Sequence, residues 1–150
     1  EKSFRIIDYK TGRRLPDRGD IDLGLSLQLP VYLRAVEQIL AAKHSGIRTG
    51  AAGIYYWLKE PVGQKLGIGS AEHLEEAFYA RKQKQLVGSD EDLTKIVDQA
   101  IRFVNEYVNH IAHGEFPVEP KEPEKVCTYC SFGTICRIRS IRLKDPGVSR

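Results

Sequence analysis

Asp8 and Lys10 stand two residues apart in Phe4-Arg5-Ile6-Ile7-Asp8-Tyr9-Lys10, a β-branched and aromatic run that ends at the turn signal Thr11-Gly12. Read as a strand, this run turns Phe4, Ile6, Asp8 and Lys10 to one face, because successive side chains alternate. The carboxylate and the ammonium then emerge side by side, ~7 Å apart along the strand. A carboxylate can hold a hard divalent cation, which usually keeps several waters. An adjacent ammonium can hold or activate an attacking water and offset charge growing on a phosphoryl group. Asp-x-Lys is a common triplet, however, and a surface ion pair at a strand end has the same sequence. A second pair, Gln28-x3-Tyr32, lies at the start of the helix that follows, and residues four apart share a helical face. The Gln28 amide and the Tyr32 hydroxyl can each hydrogen-bond a phosphate or a metal-bound water. Singly, Tyr32 also fits core packing and Gln28 a solvated helix start. Strand Asp-Tyr-Lys, loop, then Gln-Leu-Pro-Val-Tyr opening a helix is a far more specific ordered set.

Thiols form the second chemical feature. Three cysteines fall within ten residues as Cys127-x2-Cys130-x5-Cys136. An odd number at this spacing suits a metal or cluster site better than a disulfide framework. Reduced thiols also match a cytoplasmic setting, the one expected for this chain. Zinc would want a fourth ligand, which His110 or His113 could supply. Either histidine equally fits a plain surface position.

The elements that must carry these residues read as an α/β alternation. Phe4–Lys10 is the first strand, and residues 11–24, with their Gly, Arg, Asp and Pro, read as a loop or short hairpin. Leu29, Tyr32, Leu33, Val36, Ile39 and Leu40 recur at helical spacing, with Ser26 as N-cap and Pro30 in the first turn. Ala51 to Leu58 is a second strand candidate. Residues 61–69 read as a Gly-rich loop and Ser70 to about Gln85 as a helix. Leu93, Ile96, Val97, Ala100, Ile101, Val104, Tyr107, Val108 and Ile111 form the clearest apolar stripe, capped by Ser89 and ended by Gly114. Residues 115–125, with three Pro and four Glu, read as an extended linker to the cysteines.

Composition narrows the class. With 41% hydrophobic and 29% charged residues in 150, the chain can bury one sizeable core and is neither a disordered tail nor a rod. Its longest mostly apolar stretch, Ala51–Leu58, is far short of the ~20 residues of a membrane span, and Glu1-Lys2-Ser3-Phe4 has no apolar signal core. There is no methionine, so the chain is read as a piece of something longer. The net charge of +3 is uneven: nine Lys/Arg face six Asp/Glu in residues 1–50, seven face eleven in 51–120, and seven face three in 121–150. Basic ends around an acidic middle suit local contact with nucleic-acid phosphate, or equally a solvated basic tail.

Three blocks in order, Ile7-Asp8-Tyr9-Lys10-Thr11-Gly12, Leu27-Gln28-Leu29-Pro30-Val31-Tyr32-Leu33 and Cys127-Thr128-Tyr129-Cys130 to Cys136, resemble the PD-(D/E)XK nuclease superfamily in its RecB-like branch. The approach to the cysteines, His113-Gly114-Glu115-Phe116-Pro117-Val118-Glu119-Pro120, resembles an AddB-type nuclease C-terminus. The likeness spans residues 4–137, the middle matching only in its order of elements. It implies a restriction-endonuclease-like mixed sheet flanked by helices, and hydrolysis of DNA phosphodiesters with Mg²⁺ or Mn²⁺. Carried over, Asp8 would be a metal ligand, joined by the backbone carbonyl of Tyr9. Lys10 would position the attacking water, and Gln28 and Tyr32 would match the Gln-x3-Tyr signature. Cys127, Cys130 and Cys136 would match three of four thiolates of a [4Fe–4S] cluster. Arg13, Arg14, Arg137, Arg139, Arg142 and Lys144 would guide the DNA backbone.

The family's first catalytic Asp, a frequent His and the fourth cluster Cys all lie upstream of the Asp-x-Lys strand, and none stands in this chain. The resemblance therefore implies the C-terminal half of a nuclease core over 1–114 and a linker with a Cys-rich segment over 115–150. Such a fragment is expected to be inactive alone, to hold zinc or no metal at its cysteines, and to expose a sheet edge able to pair with another copy. The implied setting is an exonuclease beside a helicase module or subunit, acting in recombination and double-strand break repair. A CRISPR-adaptation-type nuclease shares the Gln-x3-Tyr and a similar cysteine set, and a catalytically dead DNA-binding scaffold shares the fold. A zinc-only interaction module would make Asp8 dispensable.

Overall fold

A computed structural model describes residues 3–12, 15–43, 49–59, 64–73, 86–118, 120 and 123–136. The chain divides into two compact units, Glu1–Asn109 and His110–Arg150. The first unit is mixed α/β, with a sheet in the order β1-β2-β3-β4. Strand β1 (Phe4–Lys10) pairs parallel with β2 (Gly50–Trp57), which pairs antiparallel with β3 (Gln64–Ser70). A two-residue β4 (Leu86–Val87) adds parallel to β3. A parallel pair needs a crossover, and helix α2 (Gln28–Lys43) supplies it between β1 and β2.

Strand β1 alternates between half-buried and exposed residues, as its period of two requires, with Phe4 and Ile6 against the core. In β2, Gly50 to Tyr55 are all buried, the continuous apolar run of an interior strand. Leu29 and Leu33 of α2 are fully buried against them, each stabilising the fold by roughly 1.5–3 kcal/mol. The remaining stripe of α2 is only partly used: Val36 and Leu40 are half-buried, whereas Ile39 and Tyr32 are exposed.

Four expectations change. Residues 61–69 are not simply loop, because Gln64–Ser70 forms β3. The glycines there serve close packing: a Cβ on Gly67 would lie 2.3 Å from Leu29 Cδ1 and 2.9 Å from Tyr55 Cε2. Segment 11–24 contains helix α1 (Arg18–Asp22), started by a reciprocal capping box between Asp17 and Asp20. Gly24 ends it at φ +71°, where Phe103 and Tyr107 approach too closely for any side chain. Ser26 does not cap α2; its hydroxyl lies 3.0 Å from that of buried Tyr55. The helix read from Ser70 is not there at its start, since Ser70 ends β3 and Ala71–His73 is a single 3₁₀ turn. Residues 74–85 lie outside the described residues.

Helix α3 (Asp90–Ala112) starts as expected, with Ser89 Oγ accepting from the Asp92 N–H at 3.1 Å. Its stripe buries Leu93, Val97 and Ala100, but Tyr107, Val108 and Ile111 are exposed. Twenty-three residues extend about 34 Å, more than the core beneath can cover. In the second unit Gly114, at φ +70°, ends α3 with Glu115 N bonded to His110 O and Gly114 N to Ile111 O, a Schellman motif. Glu115–Val118 has no regular structure, but the expected linker ends in helix α4 (Pro123–Val126), followed by a 3₁₀ turn over Cys127–Tyr129 and α5 (Gly133–Cys136). No helix among the described residues is long and apolar enough to cross a membrane.

Candidate active site

Strand alternation turns Asp8 and Lys10 to the same side, and their charged groups meet there, Lys10 Nζ lying 2.8 Å from Asp8 Oδ2. Gln28, in the first turn of α2, bridges them: its Oε1 accepts from Lys10 Nζ, and its Nε2 donates to Asp8 Oδ1 at 3.4 Å. The same Nε2 donates to the Tyr32 hydroxyl at 3.1 Å, one helical turn on. All four side chains singled out for chemistry thus converge on one network. Both charges are largely withdrawn from water, with side-chain exposures of 28% for Lys10 and 14% for Asp8.

Tyr55 lies beneath this network and was not found from the sequence. It is in register with Asp8 across β1 and β2, and the Lys10 ammonium stands 5.5 Å from its ring centroid. Burial pushes its phenol above the ordinary value, opposed by the Ser26 hydrogen bond and the Lys10 charge. Its position inside a continuous apolar run hid it; only knowledge of the strand register brings it to Asp8. Trp57 is in register with Lys10, and its buried indole N–H has no hydrogen-bond partner among the described residues.

Tyr9 points its side chain away, exposed and against Tyr56 at 5.5 Å between centroids. Lys10 O accepts from Leu58 N, so the Lys10 carbonyl points toward β2. Carbonyls alternate along a strand, so that of Tyr9 points to the outer edge of β1.

Asp8 offers what a hard cation needs. Its Oδ2 is buried and has no hydrogen bond, the ammonium being close but not aligned for one. Mg²⁺ is commonly held by one or two carboxylates with waters and substrate phosphates, so a single carboxylate fits this role. The cysteines differ. Cys127 and Cys136 are half-buried and Cys130 is exposed, all three unbridged. Among the described residues no three His, Cys, Asp or Glu side chains group to hold a metal, so neither a cluster nor a zinc site with His110 or His113 is formed. Arg13, Arg14, Arg137, Arg139, Arg142 and Lys144 lie outside the described residues.

An Asp-x-Lys strand followed by a Gln-x3-Tyr helix, folded into one network on a mixed sheet, defines a nuclease class. The chain belongs to the PD-(D/E)XK nuclease superfamily, whose profile matches residues 1–137. Among its relatives, an ATP-dependent helicase/deoxyribonuclease subunit of the AddB type from Bacillus mycoides (strain KBAB4) is 24% identical over 180 residues, covering 89% of this chain and 15% of that protein. The corresponding subunit from Clostridium acetobutylicum, which carries the same name, is 24% identical over 174 residues, again 89% and 15%. The chain thus spans about 15% of the length of these relatives.

Proposed function

We propose that this chain carries the catalytic centre of a Mg²⁺- or Mn²⁺-dependent deoxyribonuclease, an exonuclease of RecB/AddB type acting in recombination and double-strand break repair. The observation that carries the reading is the Asp8–Lys10–Gln28–Tyr32 network. A bound divalent cation would supply Lewis-acid polarisation of the scissile phosphate and lower the pKa of water. Asp8 holds it through Oδ2, with the Tyr9 carbonyl as a second ligand. Lys10 Nζ orients the attacking water toward phosphorus and offsets charge growing on the phosphoryl oxygens. Gln28 fixes both charged groups, and Tyr32 fixes Gln28.

The helicase part of the relatives' name supports a cytoplasmic partner of that kind, with DNA as substrate and Arg13, Arg14, Arg137, Arg139, Arg142 and Lys144 following its backbone. Cys127, Cys130 and Cys136 are assigned, on spacing and order alone, as the thiolates this chain offers to a [4Fe–4S] cluster completed from elsewhere. Iron and acid-labile sulfide in anaerobically purified protein would support that assignment, and stoichiometric zinc would overturn it. The division into a nuclease core over 1–114 and a Cys-rich segment over 115–150 follows the same reading.

The test is Mn²⁺-dependent cleavage of end-labelled single-stranded DNA, using this chain and the longest natural polypeptide containing it, with Asp8→Ala and Lys10→Ala in parallel. Loss of the longer protein's cleavage in both folded variants supports the reading. Equal cleavage by all three sinks it, and DNA binding without cleavage replaces it with an inactive scaffold. Pairing of the β1 edge with another copy would appear as a dimer in sedimentation.

A further inference from the structure

We infer that Tyr55 is a positioning residue whose ring seats the Lys10 ammonium at the catalytic face, a role that rests on the nuclease reading above. Three groups surround Lys10 Nζ: the Asp8 carboxylate at 2.8 Å, the Gln28 amide oxygen, and the Tyr55 ring at 5.5 Å. The first two are exchangeable. A cation on Asp8 draws the carboxylate's charge away from the ammonium, and a phosphate or water competes for the Gln28 amide. A ring face offers neither lone pair nor charge to be claimed, and it attracts an ammonium through its quadrupole.

The seat itself is fixed. Tyr55 is 1% exposed, and its hydroxyl is tied to Ser26 Oγ at 3.0 Å, in the segment that leads into α2. Against its ring edge, Gly67 leaves so little space that a Cβ would come within 2.9 Å of Cε2. Lysine carries its charge on a flexible four-carbon stem, so a rigid seat limits where the ammonium moves when Asp8 turns to another partner. Stabilisation organised before the reaction needs no rearrangement during it.

Two readouts separate this role from mere packing. In ¹³C-lysine-labelled protein, assigned with Lys10→Met, the Lys10 side-chain protons should lie upfield of the other lysines because of the ring. Tyr55→Phe should keep that shift and Tyr55→Leu should abolish it. In the cleavage assay Tyr55→Phe should stay within about twofold of the parent. Tyr55→Leu should lower kcat roughly tenfold, the scale of a partly desolvated cation–π contact, with little change in KM. Lys10 protons at ordinary positions in the parent, or unmoved in Tyr55→Leu, would overturn the inference. So would equal loss of kcat in Tyr55→Phe and Tyr55→Leu. Should Tyr55→Leu fail to fold, the parent and Tyr55→Phe spectra decide. An upfield Lys10 with no cleavage by any form would reject the nuclease reading while leaving the seat in place.

Discussion

Gln28 accepts a hydrogen bond from the ammonium of Lys10 across 18 residues of sequence, and through its other amide atom it donates to Asp8 and Tyr32. An amide suits this position because it offers an acceptor to the cation and donors to the anion and the phenol at once. A carboxylate there would compete with Asp8 for Lys10, and an ammonium would compete with Lys10 for Asp8.

Gln28→Ala should therefore weaken cleavage more than Tyr32→Phe. The first removes hydrogen bonds to charged groups, each about 1.5–3 kcal/mol, and the second one neutral bond of about 0.5–1.5 kcal/mol. Comparing kcat/KM on one DNA substrate checks the order; an equal loss would mean that Tyr32 itself touches the substrate.

Trp57 is the one tryptophan and stands in register with Lys10. Paramagnetic Mn²⁺ should quench its fluorescence saturably in the parent and much more weakly in Asp8→Ala. Quenching curves that coincide would place the cation elsewhere.

Gly67→Ala should destabilise the fold by about 1–3 kcal/mol, because the new methyl would lie 2.3 Å from Leu29 Cδ1. Gly133→Ala, whose Cβ meets nothing within 4 Å, is the control and should be near neutral. Urea midpoints give both values.

The phenol of Tyr55 is raised above its unfolded value of about 10. The native state therefore binds that proton more tightly than the unfolded chain. Its contribution to stability is complete below pH of about 10 and is lost as pH rises toward the higher native value. Tyr55→Phe should start lower, by about 1 kcal/mol for the lost Ser26 bond, and decline less above that pH. Parallel declines in alkaline urea titrations would assign the loss to other groups.

The active face was legible because its signals are local. Alternation along β1 places Asp8 beside Lys10, and a four-residue step places Gln28 beside Tyr32. What brings the two pairs together is the packing of α2 on the sheet, which only the ordered resemblance anticipated. Strand β3 was hidden because Gly67 and Gly69 read as turn residues, whereas Gly67 makes room for Leu29. Tyr55 was hidden because an apolar run does not reveal register. On α3 the periodicity was real, but a stripe reports amphipathicity and not how far the core extends beneath it. The three cysteines show the opposite failure: ligand spacing in sequence is not yet convergence in space.

Strand β1 is the outermost of the sheet among the described residues, and its outer side is where the Tyr9 carbonyl points. A neighbouring strand would run about 4.8 Å away, and beside Tyr9 it would set an N–H where a cation must approach. Whatever segment extends the sheet along Phe4–Ile7 must therefore diverge before it reaches Tyr9. Pairing and catalysis share this strand by dividing its length, and a partner that zipped to its end would act as an inhibitor made of backbone alone.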